Sequence, residues 1–435
     1  MNPVALALLL GVVGAVFVRQ ILGRGPQKWV IFGFGALAAL ATASLDLPEA
    51  AQALASAAPV LLFLLALFLF AGGLEESGAL DHFAHWLVGR ARTPERLPTL
   101  LFLGFGVASA FVVNDALVLL AVPMLLGLSR RIRVDPKPLL LTVAFAVTVG
   151  SALTPLGNPQ NLLISLSSGV SAPMTTFLRY LLLPVVASLA FGGWYLSRVF
   201  ARSMRSATGE YSQLRTTAPP FLPRGSWGSR LRRNPVLILF PGMILSLIGL
   251  DLSNAIFGTP DVAVWIPAVL GAVALLALSP GRGVLIRYVN LRILFLFVGL
   301  FIVVAAAEVG GVIGGFEAIL PIAGPSNVPQ GILGIFGTSL LGSQVVSNVP
   351  WVALQIPVLS GLGYGAGQPT AWLALGAAST LAGNITLLGA ASNLILVERA
   401  EQLGVRIRLR EFMRYALPVA AVSVAVTLLC LIAGV

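Results

Sequence analysis

The sequence predicts an all-α polytopic membrane protein: about 10 transmembrane helices plus two re-entrant hairpins, in two inverted-topology repeats with discontinuous helices. Three observations lead there: an extreme composition, two apolar stretches too long for one crossing, and polar positions that recur at a fixed spacing. Of 435 residues, 57% are hydrophobic and 10% charged, with a mean hydropathy of +0.95. A soluble domain carries roughly 25% charged residues. A soluble enzyme, a disordered chain and a disulfide scaffold are therefore excluded. The lone Cys430 rules out an internal disulfide and a cysteine metal cluster. A net charge of +11 would suggest nucleic acid in a soluble protein. In so apolar a chain it reads instead as basic loops on the cytoplasmic side, with the lipid bilayer as partner and no nucleic acid.

Apolar stretches fall at about 2–22, 28–45, 57–74, 97–128, 138–166 and 177–200, then at 235–250, 262–280, 291–309, 331–359, 370–397 and 412–435. The first has no basic residue ahead of it and Arg19 near its far end, the wrong polarity for a cleaved signal, so it is expected to be a retained helix. Most stretches match the ~20 residues of one crossing. The exceptions, 97–128 and 331–359, carry polar centres at Asn114-Asp115 and Ser347-Asn348. They read as re-entrant hairpins, since non-helical backbone at membrane depth persists only under cover of protein or water.

With those two as hairpins, five spans precede the Arg-rich linker 201–234 and five follow it. The linker holds Arg202, Arg205, Arg215, Arg224, Arg230, Arg232 and Arg233 against Glu210, which makes it cytoplasmic. Every other Lys and Arg except Arg179 then falls on the same side, while Asp46, Glu49, Asp251 and Asp261 fall outside. Both termini are expected outside, in a plasma (inner) membrane.

The halves repeat. NDALVLLAVP from Asn114 is matched by NVPWVALQIP from Asn348, and NLLI from Asn161 by NLIL from Asn393. Phe177-Leu-Arg-Tyr180 is matched by Phe412-Met-Arg-Tyr415, and Glu76-Ser-Gly78 by Glu308-Val-Gly310. One register of 232 to 235 residues explains all four. The expected units are an N-terminal repeat 1–200 and a C-terminal repeat 235–435. An odd number of spans per unit inverts the second, the architecture of secondary transporters.

The chemistry concentrates where helices must break. Ser151-Ala-Leu-Thr154-Pro155-Leu-Gly157-Asn158-Pro159-Gln160-Asn161 puts two prolines and a glycine inside the stretch 138–166. Proline removes a backbone donor and clashes with the preceding turn. Its mate in 370–397 keeps Asn384, Thr386, Gly389 and Asn393 but no proline. Broken helices expose amides that hold anions and carbonyls that hold cations; a kinked helix whose polar groups glue neighbouring spans is the competing reading. Asn114 and Ser347-Asn348 at the hairpin tips offer donors and acceptors without charge. Asp115 has no acidic mate, because the repeat places Val349 there. It is the one acid expected in the membrane interior, as a sodium ligand, a protonatable coupling group or a hydrogen-bonded structural Asp.

Other polar residues read more simply. Glu76 and Glu308 end spans, Arg179 and Arg414 anchor helix starts at the interface, and His82 and His85 with Asp81 and Trp86 lie in an interfacial arm, 75–96, not a metal site. The Arg-rich linker sets orientation, with lipid headgroups as secondary ligands. No P-loop is present, no cofactor is expected, and no base–nucleophile pair suggests an enzyme.

The strings VVNDALVLLAVP, PLGNPQNLL and SQVVSNVPW resemble the ion transporter superfamily, in particular the ArsB/NhaD-like permeases and among them the YbiR-like anion permeases; the divalent anion/sodium symporters are more distant. The resemblance covers essentially the whole chain. It implies that Asn114 and Ser347-Asn348 match the Ser-Asn-Thr hairpin tips of the symporter branch, and that Thr154, Gly157, Asn158 and Asn161 with Asn384, Thr386, Gly389 and Asn393 match its two broken-helix loops. There these elements bind sodium and substrate, which puts sodium near Asn114, Asp115 and Asn348. The tip threonine is Asp115 in one half and Val349 in the other, so a proton on Asp115 is the alternative to sodium. The resemblance also implies an elevator motion of hairpins and broken helices against the first three spans of each half, in a homodimer.

The expected function is secondary transport of a small anion, an inorganic oxyanion or carboxylate, coupled to sodium or protons. The sequence places no Lys or Arg in the membrane interior, so the anion would rely on amides, helix ends and a co-bound cation. A sodium/proton antiporter using Asp115 and an arsenite or antimonite efflux permease are the alternatives.

Overall fold

The computed structural model describes residues 1–22, 25–205, 234–387 and 389–434, and among these the secondary structure is helical throughout. The first half contains α1 (Pro3–Leu22), α2 (Lys28–Ala41), α3 (Leu47–Glu76), α4 (Ala79–Arg90), α5 (Leu97–Ser109), α6 (Asn114–Ile132), α7 (Pro136–Gly150), α8 (Pro159–Ser167) and α9 (Pro173–Arg205). The second contains α10 (Val236–Phe257), α11 (Trp265–Leu278), α12 (Arg282–Arg287), α13 (Leu291–Val309), α14 (Val312–Ile319), α15 (Val328–Val346), α16 (Asn348–Gly361), α17 (Pro369–Leu381), α18 (Ala391–Gln402) and α19 (Leu409–Ala433).

Six helices, α1, α3, α9, α10, α13 and α19, are long and apolar enough to cross a bilayer. Two more crossings, α2 and α11, have 14 residues each. At 1.5 Å per residue they span about 21 Å, short of the ~30 Å hydrocarbon core. The last two are interrupted: α7 with α8, and α17 with α18. The pairs α5/α6 and α15/α16 form the hairpins. Local chemistry sets several ends. Asp46 and Glu49 form a reciprocal cap at the start of α3, bonding each other's backbone amides at 2.7 and 2.9 Å. Gly258 closes α10 with a positive φ of 63°.

The packing repeats with the sequence. Helix α2 packs on α13 and α11 packs on α3; α5 lies against α7 and α15 against α17; α6 meets α18 and α16 meets α8. Since α2 and α11, α3 and α13, α6 and α16, and α8 and α18 are repeat mates, each contact has its exchanged counterpart, as a two-fold relation requires. Helices α9 and α19, also mates, pack on each other. Glycines bring the crossed pairs close: a Cβ at Gly299 on α13 would lie 2.7 Å from the Phe32 carbonyl carbon on α2, and one at Gly271 on α11 would lie 2.9 Å from the Phe70 ring on α3. Arg179 sits 5.3 Å from the Tyr180 ring and Arg414 5.6 Å from the Tyr415 ring, a repeated cation–π pair.

Two expectations change. Asp251 is not in a loop: α10 continues past residue 250 and buries it, 2% exposed. Its carboxylate accepts the Thr175 amide at 3.1 Å, and Asp261 accepts the Ala172 amide at 3.3 Å, both at the start of α9 where a helix N-terminus favours negative charge. Asp115 is therefore not the only enclosed acid. The arm around His82 and His85 is helix α4, and it too has a mate, α14. In the linker, Arg202 and Arg205 continue α9, and Arg205 reaches Glu95 at 3.6 Å. Glu210, Arg215, Arg224, Arg230, Arg232 and Arg233 lie outside the described residues.

Candidate functional site

The first break begins where α7 ends at Gly150 and closes where Asn158 caps α8. Its free backbone groups are taken up by amide side chains. The Asn158 Oδ1 accepts the Asn161 amide at 2.8 Å, and its Nδ2 donates to the Ser151 carbonyl at 2.9 Å and to Thr380 Oγ1 at 3.1 Å. Asn161 Nδ2 faces three carbonyls, those of Ser151, Ala152 and Thr154, at 3.1, 3.2 and 3.1 Å. Thr154 Oγ1 donates to the Ala110 carbonyl of the first hairpin, and the Gly157 carbonyl accepts the Asn114 amide at 3.1 Å. Gly157 has no room for a side chain: a Cβ would lie 2.7 Å from Ser151 Cα and 2.8 Å from the Ser109 carbonyl. The hairpin tip and the break are thus directly bonded to each other.

The second break reproduces the plan with fewer bonds among the described residues. Asn393 Nδ2 donates to the Gly383 carbonyl at 2.6 Å, ten residues back, the counterpart of Asn161 reaching Ser151. Thr386, like Thr154, ties the break to its hairpin, here by donating to Gln344 Oε1 at 2.6 Å, while Gln344 Nε2 reaches the Ala382 carbonyl at 2.9 Å. Gly389 is confined as Gly157 is: its Cβ would meet the Ala382 carbonyl carbon and Gln344 Nε2, each at 2.9 Å. Without proline, the interruption here is a 3₁₀ turn, Ala382–Asn384, followed by irregular backbone at 385–387 and 389–390 among the described residues.

The breaks are joined across the repeats. Asn158 and Gln160 both donate to Thr380 at the end of α17, and Asn384 donates to the Phe145 carbonyl of α7 at 3.2 Å. Asn114, Thr154, Gly157, Asn158 and Asn161 therefore form one bonded cluster, linked to the cluster of Asn384, Thr386, Gly389 and Asn393. Ser347 and Asn348 are buried at the second tip and bond each other at 3.1 Å. Ser347 has φ 75°, a conformation that costs a non-glycine residue about 1–3 kcal/mol. Asp115 follows Asn114, whose Oδ1 accepts the Asp115 amide at 2.8 Å.

Sequence reading passed over Gln344, Thr380 and Lys28, and named Gln160 in the break without a role. Gln344 had a visible signal, an amide one helical turn before a hairpin tip in an apolar run. Lys28 had none, since it stands at the start of a span where interfacial lysines are ordinary. Yet its Nζ is shielded from solvent without a hydrogen-bond partner among the described residues.

Four half-helices, α6, α8, α16 and α18, begin at the tips and breaks, and they pack crosswise as α6 with α18 and α16 with α8. Helix N-termini favour negative charge. Alongside them, Asn161 Oδ1, Asn384 Oδ1, Asn393 Oδ1 and Ser392 Oγ are buried without partners among the described residues. Such orphans in a native interior call for an explanation such as an unplaced water or ion. Crossed hairpins and interrupted helices around an uncharged polar centre are the machinery of a membrane transporter, and the chain is an integral membrane protein of this class.

Known proteins agree. A family profile described as CitMHS, citrate transporter, matches residues 15–382. The chain belongs to the CitMHS family of the ion transporter superfamily. An uncharacterised transporter of Mycobacterium bovis is 28% identical over 373 residues, 84% of this chain and 83% of its own length. The silicon efflux transporter LSI3 of Oryza sativa subsp. japonica is 25% identical over 399 residues, covering 79% of each chain. The inner membrane protein YbiR of Escherichia coli is 38% identical over 105 residues, 24% of this chain and 28% of its own. Among solved structures, the YdaH transporter of Alcanivorax borkumensis shares the fold, with a TM-score of 0.53 over 85% of this chain and 84% of that one at 14% identity.

Proposed function

We propose that the protein is a secondary active transporter of a small anion, an inorganic oxyanion or a carboxylate, coupled to sodium or protons. The observation that carries the proposal is the crosswise meeting of four half-helix N-termini beside paired asparagines. That arrangement attracts negative charge, supplies amide donors, and leaves several buried oxygens free for a cation or for cargo hydroxyls. A family named for citrate and a relative named for silicon efflux favour oxygen-rich cargo.

The site residues are Asn114, Asp115, Thr154, Gly157, Asn158, Asn161, Ser347, Asn348, Asn384, Thr386, Gly389 and Asn393. The units are repeats 1–200 and 235–435 about a cytoplasmic linker 201–234, with both termini outside. The direct bonding of each hairpin to its own break supports movement of these elements as one body against α1–α3 and α10–α13, an elevator in a homodimer.

Flux in proteoliposomes tests the reading. Labelled citrate, phosphate or sulfate uptake is expected to follow an imposed sodium or proton gradient, and Asp115→Asn to uncouple it when that residue carries the proton. Sodium-driven proton movement with no anion requirement would instead make the protein an antiporter.

A further inference from the structure

The mated arms α4 and α14 each open on a left-handed glycine, Gly78 at φ 66° and Gly311 at φ 67°. Aligned on these caps, Glu317 of α14 falls on Ala84 of α4. In the hairpins, the register that sets Asn114 on Asn348 sets Gly127 on Gly361. In the second half, arm and hairpin meet through these positions: α14 packs on α16, and a Cβ at Gly361 would overlap the Glu317 carboxylate. In the first half the same positions leave a gap. Helix α4 packs on α5 instead, and a Cβ at Gly127 would meet nothing within 4 Å. A cavity of about 220 Å³ lies between α4, α5 and α6, with Ala84 and Gly127 in its wall. Pockets for drug-sized ligands run to roughly 300–1,000 Å³, so this one suits a smaller group.

The rest of the wall has two characters. Leu101, Met124 and Leu128 are apolar, while Asp81, His85 and Arg131 bring charge of both signs and a ring nitrogen. Asp81 and Arg131 form no ion pair among the described residues. His85 Nδ1 donates to the Asp81 carbonyl at 2.8 Å; a carbonyl only accepts, so the neutral ring keeps Nε2 as an acceptor. Trp86, with the Arg90 guanidinium 5.2 Å from its ring, anchors α4 at the depth of lipid headgroups. Met124 and Arg131 stand ten and seventeen residues beyond Asn114, about 15 and 25 Å along α6. The cavity is therefore remote from the hairpin tips and the breaks.

We propose that this cavity binds one phospholipid headgroup carrying a phosphate and a primary ammonium, that of phosphatidylethanolamine. Arg131 takes the phosphate through its guanidinium fork. Asp81 and His85 Nε2 accept from the ammonium, and the apolar wall takes the glycerol and the first methylenes. Both headgroup charges are needed. A free anion or an anionic lipid leaves Asp81 repelling it, and the quaternary ammonium of phosphatidylcholine has no N–H to donate. The lipid then holds the first arm to its hairpin, as Glu317 holds the second. The site is separate from the cargo site and stands whatever the cargo is.

Thermal unfolding of the purified full-length protein in detergent tests it, titrated in parallel with dioleoyl phosphatidylethanolamine, phosphatidylcholine and phosphatidylglycerol, and with inorganic phosphate. Phosphatidylethanolamine is expected to stabilise the wild-type protein at about tenfold lower concentration than the other two lipids, the worth of one charge-assisted hydrogen bond. Native mass spectrometry should show one such lipid retained per chain. Gly127→Leu fills the cavity from a helical position with open space around it, so it should fold and lose the advantage of phosphatidylethanolamine. Arg131→Gln should weaken binding of that lipid about tenfold, and Asp81→Asn should abolish its preference over phosphatidylglycerol. The wild-type lipid comparison needs no variant and so survives a folding failure. Equal stabilisation by the three lipids, or an undiminished preference in Gly127→Leu, would overturn the inference. Stabilisation by inorganic phosphate equal to that by the lipid would overturn it in favour of a soluble anion.

Discussion

The two interrupted helices descend from one plan and differ in how fully it is braced. In the first, prolines at 155 and 159 enforce the break, Asn161 holds three carbonyls, and the hairpin joins it through both Thr154 and the Asn114 amide. In the second, Asn393 holds one carbonyl, a glutamine side chain makes the hairpin connection, and three buried oxygens have no partner among the described residues. The tips differ likewise: Val113 has ordinary backbone angles, whereas Ser347 has a positive φ. A buried polar group left unpaired costs about 1–3 kcal/mol. The first half keeps the shape of the site, while the second holds the strain and most of the unmet bonding capacity that a ligand can relieve.

Substitutions in matched pairs can break or sharpen this contrast, here in order of decreasing effect. Gly157→Ala should destabilise most, by about 3 kcal/mol or more, because its Cβ meets only backbone. Gly389→Ala should cost less, because Gln344 can swing away from one of its contacts. Thermal unfolding in detergent reads the difference, and equal losses would remove the asymmetry. Next, Asn161→Ala should cost about 2–4 kcal/mol by taking a donor from three carbonyls, of which that of Ser151 keeps Asn158, against about 1–2 kcal/mol for Asn393→Ala. An Asn393→Ala loss as large as that of Asn161→Ala would mean the second break is braced by contacts other than those described. Smallest, Ser347→Gly should stabilise by about 0.5–1 kcal/mol, since glycine adopts positive φ freely. A lower melting temperature would show that the Ser347 hydroxyl bond to Asn348 outweighs the backbone strain.

Much of this site could be read from residue order. Thr154, Gly157, Asn158 and Asn161 stand out because prolines beside them forbid a continuous helix, and the fixed repeat spacing carried the reading to Thr386, Gly389 and Asn393 although no proline marks that half. Gln344 was legible but uninterpreted: an amide in an apolar helix announces a partner without naming it. Asp251 was misplaced because a helix end follows from its caps and contacts, not from where hydropathy declines.

Hydropathy, proline and glycine act on their immediate neighbours, and so the crossings, the interruptions and their twofold repetition were already present in the order of residues. That Asn158 meets Thr380, that Asn384 meets the Phe145 carbonyl, and which oxygens stay unmet depend on groups far apart along the chain. Those pairings exist only once the helices pack, because burial and distance are properties of the assembled bundle.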